Sequence, residues 1–211
     1  MALHIYTFIN PCSAKDLHRA KSIIEDGGVI CYPTDVNWAF AADPRKAGAI
    51  DRILRLKPGH PKELPFSMVC SSIAMAAQYA QIEAFSYRLL KKILPGPFTV
   101  ILPRNHAYPR ALRDKRKAVG IRIPNSPLIL ELVELLGQPL ATSSVPGFNP
   151  KDHSLIEYGY QVEEFFGFGV DLILDLGHPL PYQETTILDM TEGYVKMVRA
   201  GAGDSSLLQL S

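Results

Sequence analysis

Short apolar segments alternate with segments of helical periodicity along all 211 residues, and this alternation most restricts the fold. The predicted strands are 3–9, 29–32, 38–42, 66–70, 98–102, 119–123, 140–143, 171–174, 186–188 and 195–198. Interleaved strands and helices, without a repeating period or an evident linker, are typical of one sheet with helices packed on it. We therefore predict a single α/β or α+β domain over residues 1–211, with 204–211 loosely packed.

Helix start and stop signals lie between these strands. Ser13, with Asp16 three residues later, has the pattern of an N-cap, and Gly27 and Gly28 are expected to end that helix. Asp43, followed by a proline, predicts the start of a second helix that runs to about residue 56. The other helices are predicted to start at Ser72, to span 82–94, to run from an Asn125 cap to Leu136 before Gly137, and to cover 154–166.

The charge is unevenly distributed, although the net charge is only +1. Residues 104–122 contain seven basic residues and one acid, which gives +6, whereas the rest of the chain carries −5. One basic patch on a mildly acidic body suggests a polyanionic partner such as a nucleotide or nucleic acid, and a solvated surface loop is the alternative. The candidate patch residues are Arg110, Arg113, Lys115, Arg116 and Lys117.

Composition also restricts the compartment and the class of site. The three cysteines, Cys12, Cys31 and Cys70, are widely spaced, so we expect a reducing, cytoplasmic environment rather than a disulfide framework. No apolar run approaches about 18 residues, and the first residues lack a signal-peptide pattern, so we expect no membrane association. The six histidines are scattered without ligand spacing, and we predict no metal-binding site in the protein.

Polar side chains follow the second predicted strand. Thr34 and Asp35 come directly after the apolar run that ends at Pro33. Strand ends are where α/β proteins place ligands, a threonine hydroxyl can donate to a phosphate or carboxylate, and an aspartate can hold an ammonium group. The alternative is that this pair only shapes a turn.

Two basic residues lie at positions where an anionic partner is expected. Lys57 follows a predicted helix, where it either complements the helix dipole or contacts a phosphate. Arg122 lies inside an apolar strand, and an arginine there needs an anionic partner. That partner is either an internal carboxylate or a ligand's carboxylate or phosphate, which the guanidinium fits bidentately.

Hydroxyl groups end two further strands. Thr142, Ser143 and Ser144 precede a Pro/Gly turn, and Thr185 and Thr186 lie near Arg199 in the sequence that follows. The chain lacks the phosphate-binding G-x-x-x-x-G-K-[ST] loop, a G-x-G-x-x-G fingerprint after a strand and a G-x-S-x-G elbow. The usual nucleotide and hydrolase folds are therefore disfavoured.

Together these segments resemble the YrdC/YciO family, which includes threonylcarbamoyl-adenylate synthases of tRNA modification. The matching segments are 28–35 (GVICYPTD), 56–57 (LK), 95–99 (PGPFT), 119–124 (VGIRIP), 139–144 (PLATSS), 185–189 (TTILD) and 198–201 (VRAG). They occur in family order and cover roughly residues 13–203. The resemblance implies a twisted mixed sheet flanked by helices, with a deep, basic concave face.

The resemblance also implies a reaction and a site. The family's synthases join ATP, threonine and bicarbonate into threonylcarbamoyl-AMP and release pyrophosphate, with Mg²⁺ assisting. Carried over by position, Thr34, Arg122, Thr142 and Thr185 hold the amino acid. By the same correspondence, Lys57, Ser144 and Arg199 hold the nucleotide.

This chain departs from the synthase pattern at two positions. Gly59 replaces the arginine of a Lys-x-Arg motif, and Pro146 replaces the asparagine of Ser-x-Asn. Both departures resemble the YciO-like branch. Three hypotheses remain open: a synthase with weak activity, a nucleotide- or RNA-binding protein (tRNA or double-stranded RNA) without efficient synthase activity, and a cleft for another small carboxylate or phosphate.

Overall fold

The computed structural model describes residues 2–57, 66–112, 116–149, 152–180 and 182–208. Its strands are β1 (Leu3–Tyr6), β2 (Ile30–Pro33), β3 (Trp38–Ala42), β4 (Ser67–Val69), β5 (Phe98–Pro103), β6 (Ala118–Arg122), β7 (Leu140–Ser144), β8 (Leu172–Asp175), β9 (Thr186–Asp189) and β10 (Lys196–Arg199). Its helices are α1 (Ala14–Glu25), α2 (Ala47–Arg55), α3 (Ile73–Ala76), α4 (Ala84–Ile93), α5 (Pro127–Leu136) and α6 (Gly159–Phe166), with 3₁₀ turns at Arg110–Leu112 and Ser205–Leu208. Each predicted strand is present, and most strand ends differ by one residue at most.

The strands form one twisted sheet in the order β1-β8-β2-β3-β7-β4-β6-β5-β9-β10. The pairs β1–β8, β2–β8, β4–β6 and β5–β9 are parallel, and the other neighbours are antiparallel. The sheet is therefore mixed, and with helices on both faces it confirms the predicted α/β fold. In the part of the chain that the structure describes, every helix is too short or too polar to cross a membrane.

Helices cover both faces because side chains alternate along each strand. In β2, Ile30 and Tyr32 join a buried cluster with α1 and α5, whereas Cys31 between them joins a larger cluster with α2, α4 and α6. On the first face, α1 and α5 cover mainly β2, β3 and β8. The neighbouring part of that face, over β4 to β7 and β9, carries the cavity described below.

Local capping signals predicted some helix ends correctly. The Ser13 hydroxyl accepts a hydrogen bond from the Asp16 N–H and starts α1, and the Ser72 hydroxyl starts α3 in the same way. Gly137 ends α5 in the left-handed conformation, with φ of 67°. Glycine is favoured there because it lacks the Cβ that opposes a positive φ.

Three predicted helix starts are wrong, because the predicted residues have other partners. Asp43 is fully buried and binds the Arg45 N–H and guanidinium, so α2 begins only at Ala47. The Asn125 N–H donates to the Asp35 carboxylate, and the N-cap of α5 is Ser126. The sixth helix begins at residue 159 rather than at 154, since residue 154 lies in a turn closed by the Asp152 carboxylate.

Candidate functional site

A cavity of about 550 Å³ is lined by strand residues from the sheet face that carries α1 and α5, and also by residues of α2 and the connecting loops. The strand register places Ser67, Gly120 and Thr142 side by side across β4, β6 and β7, and all three line the cavity. Arg122, two residues beyond Gly120, projects to the same face. Gly120 keeps this floor open, because a Cβ there would lie 2.9 Å from the Ser67 Oγ.

The cavity is basic. Among the described lining residues, the cations are Lys57, Arg116, Arg122 and Arg199, and the carboxylate is Glu184. The Arg199 guanidinium lies 2.8 Å from Glu184 and neutralises part of this charge. The remaining excess of positive charge favours an anionic ligand, and it matches the expected basic concave face.

Arg122 ends β6 and is only 4% exposed. Its Nη2 donates to the Asp35 Oδ1 at 3.1 Å, and the other carboxylate oxygen accepts the Asn125 N–H at 2.9 Å. An internal carboxylate therefore accompanies this buried guanidinium. Its Nε is nevertheless buried without a hydrogen-bond partner among the described residues.

Thr34 serves the turn between β2 and β3. Its hydroxyl donates to the Asn37 carbonyl at 2.7 Å and accepts the N–H groups of Val36 and Asn37 at 3.1 Å. Thr34 is buried and lies outside the described lining of the cavity. Its hydroxyl shapes the loop that presents Asp35 to Arg122.

The other two threonines predicted for amino-acid binding line the cavity. The Thr142 hydroxyl donates to the Phe40 carbonyl at 3.0 Å and lies 3.0 Å from the Tyr32 hydroxyl. The Thr185 hydroxyl lies 2.9 Å from that of Thr99 on β5. Both side chains are buried and held in place by the sheet.

The three residues predicted for nucleotide binding also line the cavity. Lys57 follows α2, and its Nζ donates to the Ser143 Oγ at 2.7 Å. Burial lowers the pKa of Lys57 to about 8, because the charged ammonium loses solvation. Arg199 donates to the Thr185 carbonyl through Nε and Nη2, at 3.1 and 3.0 Å, and Ser144 is half-buried at the end of β7.

The basic patch is partly described. Arg110, Arg116 and Lys117 are exposed, and Arg116 also lines the cavity. Arg113 and Lys115 lie outside the described residues, as does Gly59. Pro146 lines the cavity and offers a pyrrolidine ring where the synthase pattern has an amide.

Sequence reasoning missed four polar lining residues: Asn37, Ser67, Tyr182 and Glu184. Asn37 and the last two lie in loops, where no periodicity marks a functional side chain. Ser67 is brought beside Gly120 only by the pairing of β4 with β6. A signal for Asn37 existed in its position two residues after Asp35, within the same strand connection.

Comparisons with known proteins support the expected family and fold. The Sua5/YciO/YrdC family model, described as "Telomere recombination", matches residues 22–201. YciO of Escherichia coli strain K12 is 31% identical over 208 residues, covering 94% of this chain and 96% of YciO. The crystal structure of E. coli YciO superposes with a TM-score of 0.85, covering 99% of both chains at 28% identity.

Two relatives are threonylcarbamoyl-AMP synthases. That of Xanthomonas axonopodis pv. citri strain 306 is 33% identical over 132 residues, covering 61% of this chain and 70% of the synthase. That of Pyrococcus abyssi is 27% identical over 183 residues, covering 86% of this chain and 53% of the longer synthase. By the extent of the family match and the full-length similarity to YciO, the chain belongs to the Sua5/YciO/YrdC family.

Proposed function

We propose that this protein binds ATP and threonine in the cavity and joins them with bicarbonate into threonylcarbamoyl-AMP, for tRNA modification. The observation that carries this proposal is the convergence of Lys57, Arg122 and Arg199 on one cavity lined with hydroxyl groups. Such a lining suits phosphate and carboxylate groups. The names of the synthase relatives supply the reaction.

In this proposal the two substrates take neighbouring parts of the cavity. Arg122, Thr142 and Thr185 hold the amino acid, and Thr34 acts through the loop that it shapes. Lys57, Ser144 and Arg199 hold the phosphates. The two sets adjoin in the structure, since Arg199 donates to the Thr185 carbonyl, which is consistent with substrates bound side by side.

The chemistry requires placement and charge compensation more than proton transfer. The threonine amine adds to bicarbonate with loss of water, and a carbamate oxygen attacks the α-phosphorus. The bond from that phosphorus to pyrophosphate breaks. The cations hold the two anions in line and offset the charge on the departing pyrophosphate, as in other phosphoryl and nucleotidyl transfers.

Magnesium fits this site as a companion of the nucleotide. The carboxylate of the described lining, Glu184, is paired with Arg199, so the side chains supply few oxygen ligands of their own. Mg²⁺ characteristically binds substrate phosphates with few protein ligands and keeps several waters. When bound, it would neutralise phosphate charge, and Ser144, which lines the cavity, would hold the phosphates that carry it.

The direct test incubates the protein with ATP, Mg²⁺, threonine and bicarbonate. Mass spectrometry detects threonylcarbamoyl-AMP, and a coupled assay detects pyrophosphate. We expect threonine-dependent product at a low rate, because Gly59 and Pro146 lack the arginine and amide of the synthase pattern. Pyrophosphate release that is the same without threonine, or no product from the folded protein, would refute synthesis.

The low pKa of Lys57 predicts a pH-dependent affinity for ATP. The protonated lysine binds phosphate better, so bound ATP raises its pKa above the free value of about 8. Affinity is therefore constant below pH 7 and falls above pH 8, by up to about tenfold per pH unit. Titration calorimetry from pH 6.5 to 9.5 measures this change.

A matched pair of variants isolates this lysine. Lys57→Arg keeps its charge at all these pH values, and we expect it to flatten the profile. Lys57→Met removes the charge, so affinity should be lower at pH 7 and equally flat. An unchanged decline in both variants would show that another group titrates.

RNA binding is a second candidate function, favoured by the exposure of Arg110, Arg116 and Lys117, of which Arg116 lines the cavity. Contacts from these cations to phosphates release counterions. With three such contacts, affinity for a double-stranded RNA should fall about 30-fold between 50 and 200 mM salt. Fluorescence anisotropy with duplex RNA and tRNA measures this dependence.

A variant with two of these basic side chains neutralised tests RNA binding. Replacing Arg116 and Lys117 by glutamine should remove about two phosphate contacts. The magnitude of the slope of log affinity against log salt should then fall by about 2. Exposed lysines on α4, such as Lys91, provide the control, because Lys91→Gln removes one charge elsewhere. RNA affinity that ignores salt, or an equal effect of the control, would contradict a phosphate-binding patch.

A further inference from the structure

Asn37 is a buried polar residue in the wall of the cavity for which the proposed reaction has so far given no role. It is 4% exposed and lines the cavity. Its Nδ2 donates to the Gln183 carbonyl at 2.8 Å. Its Oδ1 is buried and has no hydrogen-bond donor within the described ranges of the chain.

The orientation of the Asn37 amide is determined by its neighbour. A carbonyl oxygen accepts hydrogen bonds only, so the Gln183 carbonyl selects the Nδ2 group and leaves the Oδ1 on the other side. A rotated amide would place two acceptors in contact. The cavity wall therefore contains an acceptor that lacks a donor, at a cost that a suitable ligand group would remove.

The backbone around this residue is also rigid. Its N–H donates to the Thr34 hydroxyl at 3.1 Å, and its carbonyl accepts from the Thr34 N–H at 3.0 Å. The neighbouring Val36 carbonyl accepts the Gln183 N–H at 3.0 Å. The Asn37 side chain is thus held on a loop that is tied at both its start and its end.

The same loop holds the partner of Arg122. Residues 34–37 connect β2 to β3, and Asp35 within them binds the Arg122 guanidinium. The Nε of Arg122 is the other buried lining atom without a partner in the described chain. The cavity lining therefore includes one residue with an unpaired donor, Arg122, and one with an unpaired acceptor, Asn37, and the loop that carries Asn37 also binds Arg122 through Asp35.

A small molecule that satisfies both atoms carries an anionic group and a hydrogen-bond donor. An amino acid with its carboxylate at Arg122 has this character. In the proposed reaction the amine nitrogen becomes a carbamate N–H beside the reacting oxygen, and the side-chain hydroxyl is the donor that lies outside the reacting group. We propose that Asn37 is a specificity-determining residue that accepts this hydroxyl and selects hydroxylated amino acids over apolar ones of equal size.

This inference rests on the proposed function, and threonine and valine test it because they differ by a hydroxyl in place of a methyl. Binding is measured by calorimetry with a non-hydrolysable ATP analogue present, independently of turnover. We expect the wild-type protein to bind threonine about 10–100-fold more tightly than valine, since a buried acceptor without a donor is unfavourable. In Asn37→Leu the preference should fall below about threefold, through weaker threonine binding.

Two further variants test whether a lost preference for threonine comes from a general change in structure. Asn37→Ala removes the acceptor with less bulk and should show the same loss of preference. Thr186→Val removes a buried hydroxyl that binds the Gly203 carbonyl and lies outside the described cavity lining, and it should keep the wild-type preference. Circular dichroism and urea unfolding establish that each variant is folded.

The outcomes separate this inference from the proposed function. Equal binding of threonine and valine by the wild-type protein would overturn the role of Asn37 and leave amino-acid binding intact. Equal weakening of both amino acids in Asn37→Leu would assign the acceptor to the amine, which also overturns hydroxyl selection. Failure of the wild-type protein to bind any amino acid or the ATP analogue would refute the proposed function itself.

Discussion

Arg122→Ala is expected to abolish detectable threonylcarbamoyl-AMP formation and to weaken threonine binding by about 100-fold. The guanidinium is 4% exposed, lines the cavity and retains an unpaired Nε, so a substrate carboxylate there gains a charge-assisted hydrogen bond out of water. Hydrogen bonds to charged groups contribute about 1.5–3 kcal/mol each. One such bond near the upper end of that range accounts for the expected loss, since a 100-fold change in affinity corresponds to about 2.7 kcal/mol.

The Arg122 substitution also affects the fold, and the experiment must separate the two effects. Removing one partner of a buried pair leaves Asp35 without its cation, at a cost of about 3–5 kcal/mol. The double variant Arg122→Met with Asp35→Asn restores neutrality and should recover part of that stability without recovering binding. Urea unfolding and calorimetry measure the two quantities on the same samples.

Arg52 supplies a matched arginine outside the cavity. Its guanidinium pairs with Asp171 at 2.8 Å and is one-third exposed. Arg52→Ala should change threonine affinity by less than about twofold, because surface pairs contribute 0–1 kcal/mol and act locally. Unaltered threonine affinity in Arg122→Ala, with the protein folded, would remove Arg122 from the proposed site.

Trp38→Ala is expected to destabilise the protein by about 3–5 kcal/mol, as much as we expect from removing one partner of the buried Arg122–Asp35 pair. Trp38 is 1% exposed at the start of β3, in the cluster shared with α2, α4 and α6. Its indole N–H donates to the Glu157 carbonyl at 3.0 Å. For a chain of this length, the loss corresponds to a fall of roughly 6–20 °C in Tm.

Trp38→Phe distinguishes the stability that comes from the buried apolar area of the indole from the stability that comes from its hydrogen bond. Phenylalanine keeps most of the buried apolar area but leaves the Glu157 carbonyl without the indole donor, so we expect a loss of about 1–3 kcal/mol. Far-ultraviolet circular dichroism follows urea unfolding, because Trp38 is the single tryptophan and its fluorescence is lost. A loss below 1 kcal/mol in Trp38→Ala would mean that the cluster repacks around the gap.

Local patterns predicted the elements better than the connections between them. Strands appeared where short apolar runs are bounded by glycine or proline, and Ser13 and Gly137 marked helix ends through their own backbone geometry. Asp43 is a residue type that is common at N-caps, but its carboxylate binds Arg45 and Gln138 instead. The first N–H groups of a helix compete for a capping side chain with the partners that tertiary contacts supply. The residue type alone therefore does not decide where such a helix starts.

In the candidate site, too, some features follow from the sequence and others only from the folded chain. Lys57 and Arg122 attract attention in the sequence because a charge beside apolar residues requires a partner. The identity of those partners, Ser143 and Asp35, follows only from the folded chain. Asn37 gave only the weak signal of lying two residues after Asp35, since an asparagine in a strand connection is ordinary until its amide is found buried with one end unpaired.

By itself, the sequence determined the elements of this protein, the alternation of faces along each strand and the residues whose chemistry suits anions. These are properties of neighbouring residues, set by backbone geometry and side-chain type. Only the tertiary structure decided the strand order, in which β4 lies between β6 and β7, and thereby the meeting of Ser67, Gly120 and Thr142 on one floor. Strand order depends on contacts between residues distant in the chain, and the packing of the whole sheet selects among them.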